Sequence, residues 1–268
     1  MRVRFWGVRG SVPWATAESI GHGCNTPCIE VRDDATGALL VLDAGSGIVG
    51  LGHALGGAPH PVPILFTHYH WDHTQGLPFF APFYEPGWAP SIWAPMLDGV
   101  SREWVETIFE SPYFPVPFVQ LPNRPTVTLV HPGTLEVGGF RVSVQPLTHP
   151  GGAFAYRIHS SQGDLVYATD HEFGDAAVDA ALLEFSADAA ALISDAHFTP
   201  EELAHHRGWG HASWRQVAEF AKRARAGRLW LFHHKPGRTD DEVVAIQEEA
   251  RHVYGPTTAA REGVSFEI

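Results

Sequence analysis

Cysteine is nearly absent from this 268-residue chain. Its two copies, Cys24 and Cys28, are too few and too close together to build a disulfide framework, which excludes the small disulfide-held secreted class. They read as inert thiols, with a C-x3-C redox pair as the alternative. Lysine is equally scarce: only Lys222 and Lys235 occur, 18 Lys and Arg stand against 30 Asp and Glu, and the formal charge is −12. Phosphate contacts are made mainly by Lys and Arg, so this balance argues against a general binder of long nucleic acid. No apolar run is long enough to span a membrane. Met1 to Val8 alternates like a first strand and lacks the apolar stretch of a secretory leader. A cytoplasmic protein without a membrane partner is the expectation. The 44% hydrophobic content suits a globular chain, long enough for a full core, and without repeats or linkers it reads as one domain over residues 1–268.

What the chain has in excess is histidine, 17 in all. Thr67 to His73 reads THYHWDH and follows the apolar run Pro63 to Phe66. Alternate side chains of a strand share a face, so His68 and His70 leave its end pointing the same way. A bend into helix after Trp71, over His73 to Phe80, turns Asp72 and His73 toward a neighbouring position. Two pairs displaced by a few ångströms suit two cations better than one. Histidine nitrogen with carboxylate oxygen, and no thiolate, suits zinc, iron or manganese in a catalytic rather than a structural centre.

Other candidates also fall at strand ends. The strand Ala38 to Ala44 carries Asp43, and the following GSGIVGLG matches GxGxxG at Gly45, Gly47 and Gly50. A dinucleotide fold wants an acidic residue about twenty positions further on, where this chain has the histidine motif, so that match is set aside. Asp43 then either orients a histidine or caps a helix. His149 ends a strand before Pro150 and two glycines. Leu165 to Thr169 ends in Asp170, whose two oxygens can bridge two cations, followed by His171, which is read as touching substrate or solvent. Ala190 to Ala196 carries Asp195. His211 sits between glycines just before a helix capped by Ser213 and Gln216, a place that favours anions. Arg228 to Phe232 runs into His233 and His234. The segments WGVRGSVPW and GHGCNTPC either line the site, with His22 and Asn25 as polar groups, or form tight turns. From 79 to 123 proline and aromatics crowd together around a short helix from Ser101 to Glu110. So much proline predicts an excursion from the core, either a lid or wall of the pocket or a dimer interface.

HxHxDH after a strand resembles the signature of the metallo-β-lactamase superfamily. The resemblance implies an α+β fold, a four-layer αββα sandwich with its metals at one edge of the sheets. RFWGVRGSVP, GWGHAS and LWLFHHKP are similar to the tRNase Z and phosphoribosyl cyclic phosphodiesterase branch, over nearly the whole chain. By that resemblance His68, His70 and His149 hold a first divalent ion, Asp72, His73 and His233 a second, and Asp170 bridges them, with zinc foremost and manganese or iron as alternatives. It also implies that His211 stabilises the phosphoryl group or protonates the leaving oxygen; the expectation is attack by a metal-bridging hydroxide with His211 as acid, oriented by a hydrogen bond to Asp195, and Asp72 part of the catalytic set. The basic, glycine-rich arm of the tRNA-processing relatives is missing, which points to a small substrate such as a cyclic nucleotide or a phosphoribosyl cyclic phosphate. Arg9, Arg207 and Arg238 either reach that substrate or lie on the solvated surface. Dimers are common in the branch, so a homodimer is an open expectation. A thioester hydrolase of the glyoxalase II kind shares the ligands but needs a basic C-terminal helix, whereas 239–254 is acidic. A non-catalytic sensor or scaffold of the fold would show a lost ligand, and none is lost.

Overall fold

Continuous apolar strands dictate a sheet buried on both faces, and the computed structural model, which describes residues 1–56, 60–97 and 103–268, holds two of them. The first is ordered β14-β1-β2-β3-β4-β5-β6, with β1 Arg2–Gly7, β2 Cys28–Asp33, β3 Ala38–Leu42, β4 Pro61–Leu65, β5 Ala89–Pro95, β6 Thr126–Val130 and β14 Ser265–Glu267. The second is ordered β13-β12-β11-β10-β9-β8-β7, with β7 Gly133–Val137, β8 Phe140–Leu147, β9 Ala153–Ile158, β10 Leu165–Ala168, β11 Ala191–Asp195, β12 Leu229–Phe232 and β13 Thr257–Ala259.

The period of two sorts each strand between layers. Leu40 and Leu42 of β3 enter the apolar core between the sheets, where they join Tyr167 of β10 and Phe232 of β12. Leu39 and Val41 face the other way, onto Ile48 and Leu51 of helix α1 (Gly47–Ala54) and onto Phe80 and Phe83. Val166 of β10 and Leu231 of β12 likewise pack outward, beneath Leu182 of a helix at Ala176–Ser186, Val217 of one at Trp214–Ala224 and Ala250 of one at Asp240–Val253. The result is the expected α+β sandwich of helix, sheet, sheet and helix. No helix among the described residues is long and apolar enough to cross a membrane.

The Pro/aromatic stretch departs from expectation. It is not an excursion, because β5 lies inside the first sheet, paired in parallel with both β4 and β6. Its prolines, Pro90 and Pro95, stand second and last in the strand, where a missing N–H costs a ladder least. Phe80, Phe83, Phe109 and Phe118 from the same stretch are fully or almost fully buried. Of the expected helix, Glu103–Thr107 forms a turn and a half, and its proposed start at Ser101 lies outside the described residues. The capping boxes are present at Ser213 with Gln216 and at Thr239 with Glu242.

Candidate metal centre

The chain leaves β4 through Phe66 and Thr67, and one short helical turn, Trp71–Thr74, carries Asp72 and His73. That turn begins two residues earlier than expected and stops sooner, since Pro78 lacks the N–H and crowds the backbone that a continuing helix would need. His149 follows β8, Asp170 follows β10, His233 follows β12 and Asp195 closes β11, so four strands of the second sheet deliver side chains to one edge.

Seven of the expected residues converge there. His149 Nε2 stands 3.0 Å from His70 Nδ1, and His68 packs edge-on against both rings. His233 Nε2 lies 3.0 Å from Asp72 Oδ2 and 3.3 Å from His73 Nε2. Asp170 stands between the groups: Oδ1 faces His68 and His149 at 4.0 and 3.9 Å, and Oδ2 faces His73 and His233 at 3.3 and 3.5 Å. His234 turns away to donate to the Ala260 carbonyl from Nε2.

Asp43 holds both groups in place. Its Oδ2 takes the Nδ1–H of His73 at 2.8 Å and the hydroxyl of Tyr167 at 2.8 Å. Its other oxygen takes the Thr67 backbone N–H, and the Thr67 hydroxyl donates to the same carboxylate. That hydroxyl oxygen is then free to accept Nδ1–H of His68 at 3.0 Å. Both imidazoles therefore direct Nε2 into the cluster. The Asp43 side chain caps no helix; Ser46 occupies the N-cap of α1. The His149 ring is fixed in the same sense, with Nδ1 donating to the Gly210 carbonyl at 2.8 Å. Gly210, at φ +84°, must be glycine, because a Cβ there would sit 2.2 Å from His149 Nδ1.

His68 Nε2 is buried and has no hydrogen-bond partner, an arrangement that is costly unless a cation takes the lone pair. The donor set, nitrogen and carboxylate oxygen without sulfur, fits divalent zinc, manganese or iron. The charge balance agrees. Burial lowers His68 and His70 and brings His149 down to about 4, which keeps the three rings neutral and able to ligate. Burial also depresses His73, but Asp72, Asp43 and Asp170 overcome it and raise that imidazole well above its ordinary value. Burial works against Asp72 and Asp170 as anions, yet the surrounding histidines hold both below the ordinary carboxylate range. Asp72 also accepts the Ser11 N–H at 2.7 Å.

His211 borders the cluster, its Nδ1 3.6 Å from Asp170 Oδ1 and 2.7 Å from Asp195 Oδ2. Burial lowers its pKa, but the carboxylates, Asp195 first, raise it to about 9. His197, absent from the expected set, stacks on His211 at 4.4 Å and donates to the His233 carbonyl from Nδ1, while its N–H binds the other Asp195 oxygen. The signal was present in SDAHFT, where Asp195 and His197 alternate onto one face.

Other expectations fail. His171 is turned from solvent: it is buried, accepts from the Thr148 N–H and meets Asp179 at 3.1 Å. Arg9 is neither a surface group nor a substrate contact, for it is fully buried and donates to the carbonyls of Gly23, Arg238 and Ser19. Arg238 pairs with Glu202, and Arg207 is exposed. Of the two glycine-rich segments only the first borders the cluster, where a Cβ on Gly10 would fall 2.4 Å from His233 Nδ1. His22 and Asn25 are instead engaged by Asp240 and Glu262.

Asp43, Asp170 and His233 share one further property. All three leave their strands in the left-handed region, at φ +60°, +58° and +60°, a conformation that non-glycine residues tend to adopt where function demands it.

Comparison with known proteins agrees with this architecture. Residues 40–234 match the family model described as the beta-lactamase superfamily domain. Ribonuclease Z of Thermoplasma acidophilum is 33% identical over 87 residues, a stretch that spans 32% of this chain and 28% of that protein's length. The metallo-β-lactamase fold protein YhfI from Bacillus subtilis superposes with a TM-score of 0.75 at 22% identity, over 100% of this chain and 98% of its own. A diphosphatase of the PhnP family does so at 0.72 and 18%, over 100% and 97%. The chain belongs to the β-lactamase superfamily and has the metallo-β-lactamase fold.

Proposed function

We propose that this chain is a metal-dependent hydrolase, and specifically a phosphodiesterase that cleaves a small diester such as a cyclic nucleotide or a phosphoribosyl cyclic phosphate. The observation that carries the reading is the divided Asp170 carboxylate, one oxygen toward His68 and His149 and the other toward His73 and His233. His68, His70 and His149 would hold one divalent ion, Asp72, His73 and His233 a second, with Asp170 shared and zinc the first choice of metal. Two such ions supply Lewis acidity at the phosphoryl group and lower the pKa of a water.

The chain's own groups do the rest. Asp43 fixes His73 directly and His68 through Thr67, so the donors are set before the substrate arrives. His211 commits its Nδ1–H to Asp195, which leaves the Nε2 proton for transfer. As the P–O bond to the leaving alkoxide breaks, that proton passes to the departing oxygen and the imidazole becomes neutral. A phosphorane-like centre already carries negative charge, so an acid held protonated by Asp195 and Asp170 is well matched to it.

The similarity to ribonuclease Z over 87 residues favours a second reading, an RNA diester. The acidic balance of the chain weighs against it. One panel tests both: zinc-loaded protein is assayed on bis(p-nitrophenyl) phosphate, 2′,3′- and 3′,5′-cyclic nucleotides, a phosphoribosyl cyclic phosphate, a precursor tRNA and S-lactoylglutathione. Diester turnover that disappears on chelation, with two metal equivalents bound, is the expected result. Turnover of the thioester alone overturns it, and turnover of the precursor tRNA alone replaces the small substrate with RNA.

A further inference from the structure

Next to the proposed metal centre lies a second concavity, with a volume of about 280 Å³. His70 borders both: its Nδ1 faces His149, while the exposed side of the ring forms part of the cavity wall. The remaining wall is built from two layers. Tyr69 and Trp71 come from the histidine motif, and Trp104, Ile108 and Tyr113 come from the Pro/aromatic stretch. The rings pair across the two layers, Tyr69 with Trp104 at 6.3 Å and Trp71 with Tyr113 at 6.1 Å.

Two properties of this wall are informative. Trp71, Trp104 and Tyr113 are 59%, 49% and 64% exposed, so three large rings stand open to water where ordinary packing would cover them. Three of the four hydroxyls in the lining are already spent: Tyr69 donates to the Pro95 carbonyl, Thr74 to the His70 carbonyl and Thr107 to the Glu103 carbonyl, which leaves that of Tyr113. Such a surface offers mainly π faces, with the edges of Trp71, Trp104 and Tyr113 as its polar groups. The volume lies just below the usual ~300–1,000 Å³ of small-molecule sites, enough for one ring system and too small for a whole nucleotide with its phosphate.

We propose that this cavity binds a flat aromatic group of the substrate, a nucleobase or aryl ring, while the phosphate it is attached to sits beside His70 at the metal centre. The inference rests on the phosphodiester reading only for the phosphate end. Recognition is by stacking, so it tolerates different rings and selects against substrates that lack one.

The test uses zinc-loaded enzyme and two diesters with the same leaving group, p-nitrophenyl phenyl phosphate and p-nitrophenyl methyl phosphate. Wild-type protein should favour the phenyl ester in kcat/KM by about tenfold or more. Trp104→Ala and Trp71→Ala should bring that ratio near one, chiefly through KM, and Trp104→Phe should retain most of it. Both tryptophans are exposed, so neither truncation empties the core. Calorimetric titration with phenyl phosphate and methyl phosphate needs no turnover and should show the same preference, lost in Trp104→Ala. A phenyl preference in binding without hydrolysis of either diester would sink the phosphodiester reading and still support the cavity assignment. Equal binding of the two phosphates overturns the assignment. So does a Trp104→Ala variant that turns a dimer into a monomer and leaves the ratio intact, since the rings would then belong to an interface between copies.

Discussion

Replacing Asp195 by Asn tests the role of His211 most sharply. The carboxylate serves two donors at once, accepting the His197 N–H on Oδ1 at 2.8 Å and His211 Nδ1–H on Oδ2 at 2.7 Å. An amide has one acceptor oxygen. The backbone N–H of His197 cannot move away, so the Asn oxygen stays with it and the NH₂ faces His211. That imidazole is then driven to the tautomer with a bare Nδ1 and loses its main counter-charge. With a pKa of about 9 the ring is ~97% protonated at pH 7.5, whereas at the ordinary ~6.5 it is ~10% protonated. Protonation alone thus costs about tenfold at that pH, and loss of a well-placed acid brings the total toward 10²–10⁴-fold. The assay is kcat/KM against pH for two diesters, one with p-nitrophenolate and one with an alkoxide as leaving group. The alkaline limb should move to lower pH in the variant, and the loss should be much larger for the alkoxide, which needs the proton. Metal content should stay at the wild-type value. An unmoved limb, or equal losses for both leaving groups, would refute His211 as the acid.

Metal binding itself should depend on pH. His73 is held protonated in the metal-free site by Asp72, Asp43 and Asp170, so binding must displace a proton, and affinity should tighten as pH rises; calorimetry in buffers of different ionisation enthalpy counts that proton. Asp43→Asn keeps the side-chain volume but places an NH₂ among four donors, and should weaken the affinity for both ions by about 10–100-fold, read by competition with a chromophoric chelator. A loss confined to one ion would break the Thr67 relay. Arg9→Met strands three buried carbonyls and should destabilise the fold by about 3–5 kcal/mol, measured by urea denaturation of the chelator-treated protein so that metal binding does not mask it.

The parts of the molecule legible in sequence are those governed by local rules. Strand alternation, capping boxes at Ser213 and Thr239, and the spacing within THYHWDH depend on neighbours a few residues away. The parts misread depend on what the fold brings from far along the chain. Proline density suggested a protruding 79–123, but only the pairing of β5 with β4 and β6 reveals that Pro90 and Pro95 fall at tolerated places. Arg9 reads as a substrate contact or a surface group because its acceptors are backbone carbonyls at positions 19, 23 and 238, which no side-chain pattern announces. His171 reads as touching substrate or solvent, but the helix bearing Asp179 closes over it. His197 was passed over although its two-residue offset from Asp195 placed it on the same face.

The left-handed backbone at Asp43, Asp170 and His233 bears on how this protein can be engineered. Each position costs about 1–2 kcal/mol relative to glycine, a strain that the contacts of these side chains offset, as at Asp43, which satisfies four buried donors. Glycine would relieve the strain but strand those donors. Alanine scanning carries a double hazard, because alanine keeps the strain and removes the contacts that offset it. Asparagine tolerates this region of backbone space, so Asp43→Asn and Asp170→Asn change charge with little disturbance of the chain path. His233 has no such isostere, and replacements there report on chemistry and backbone together.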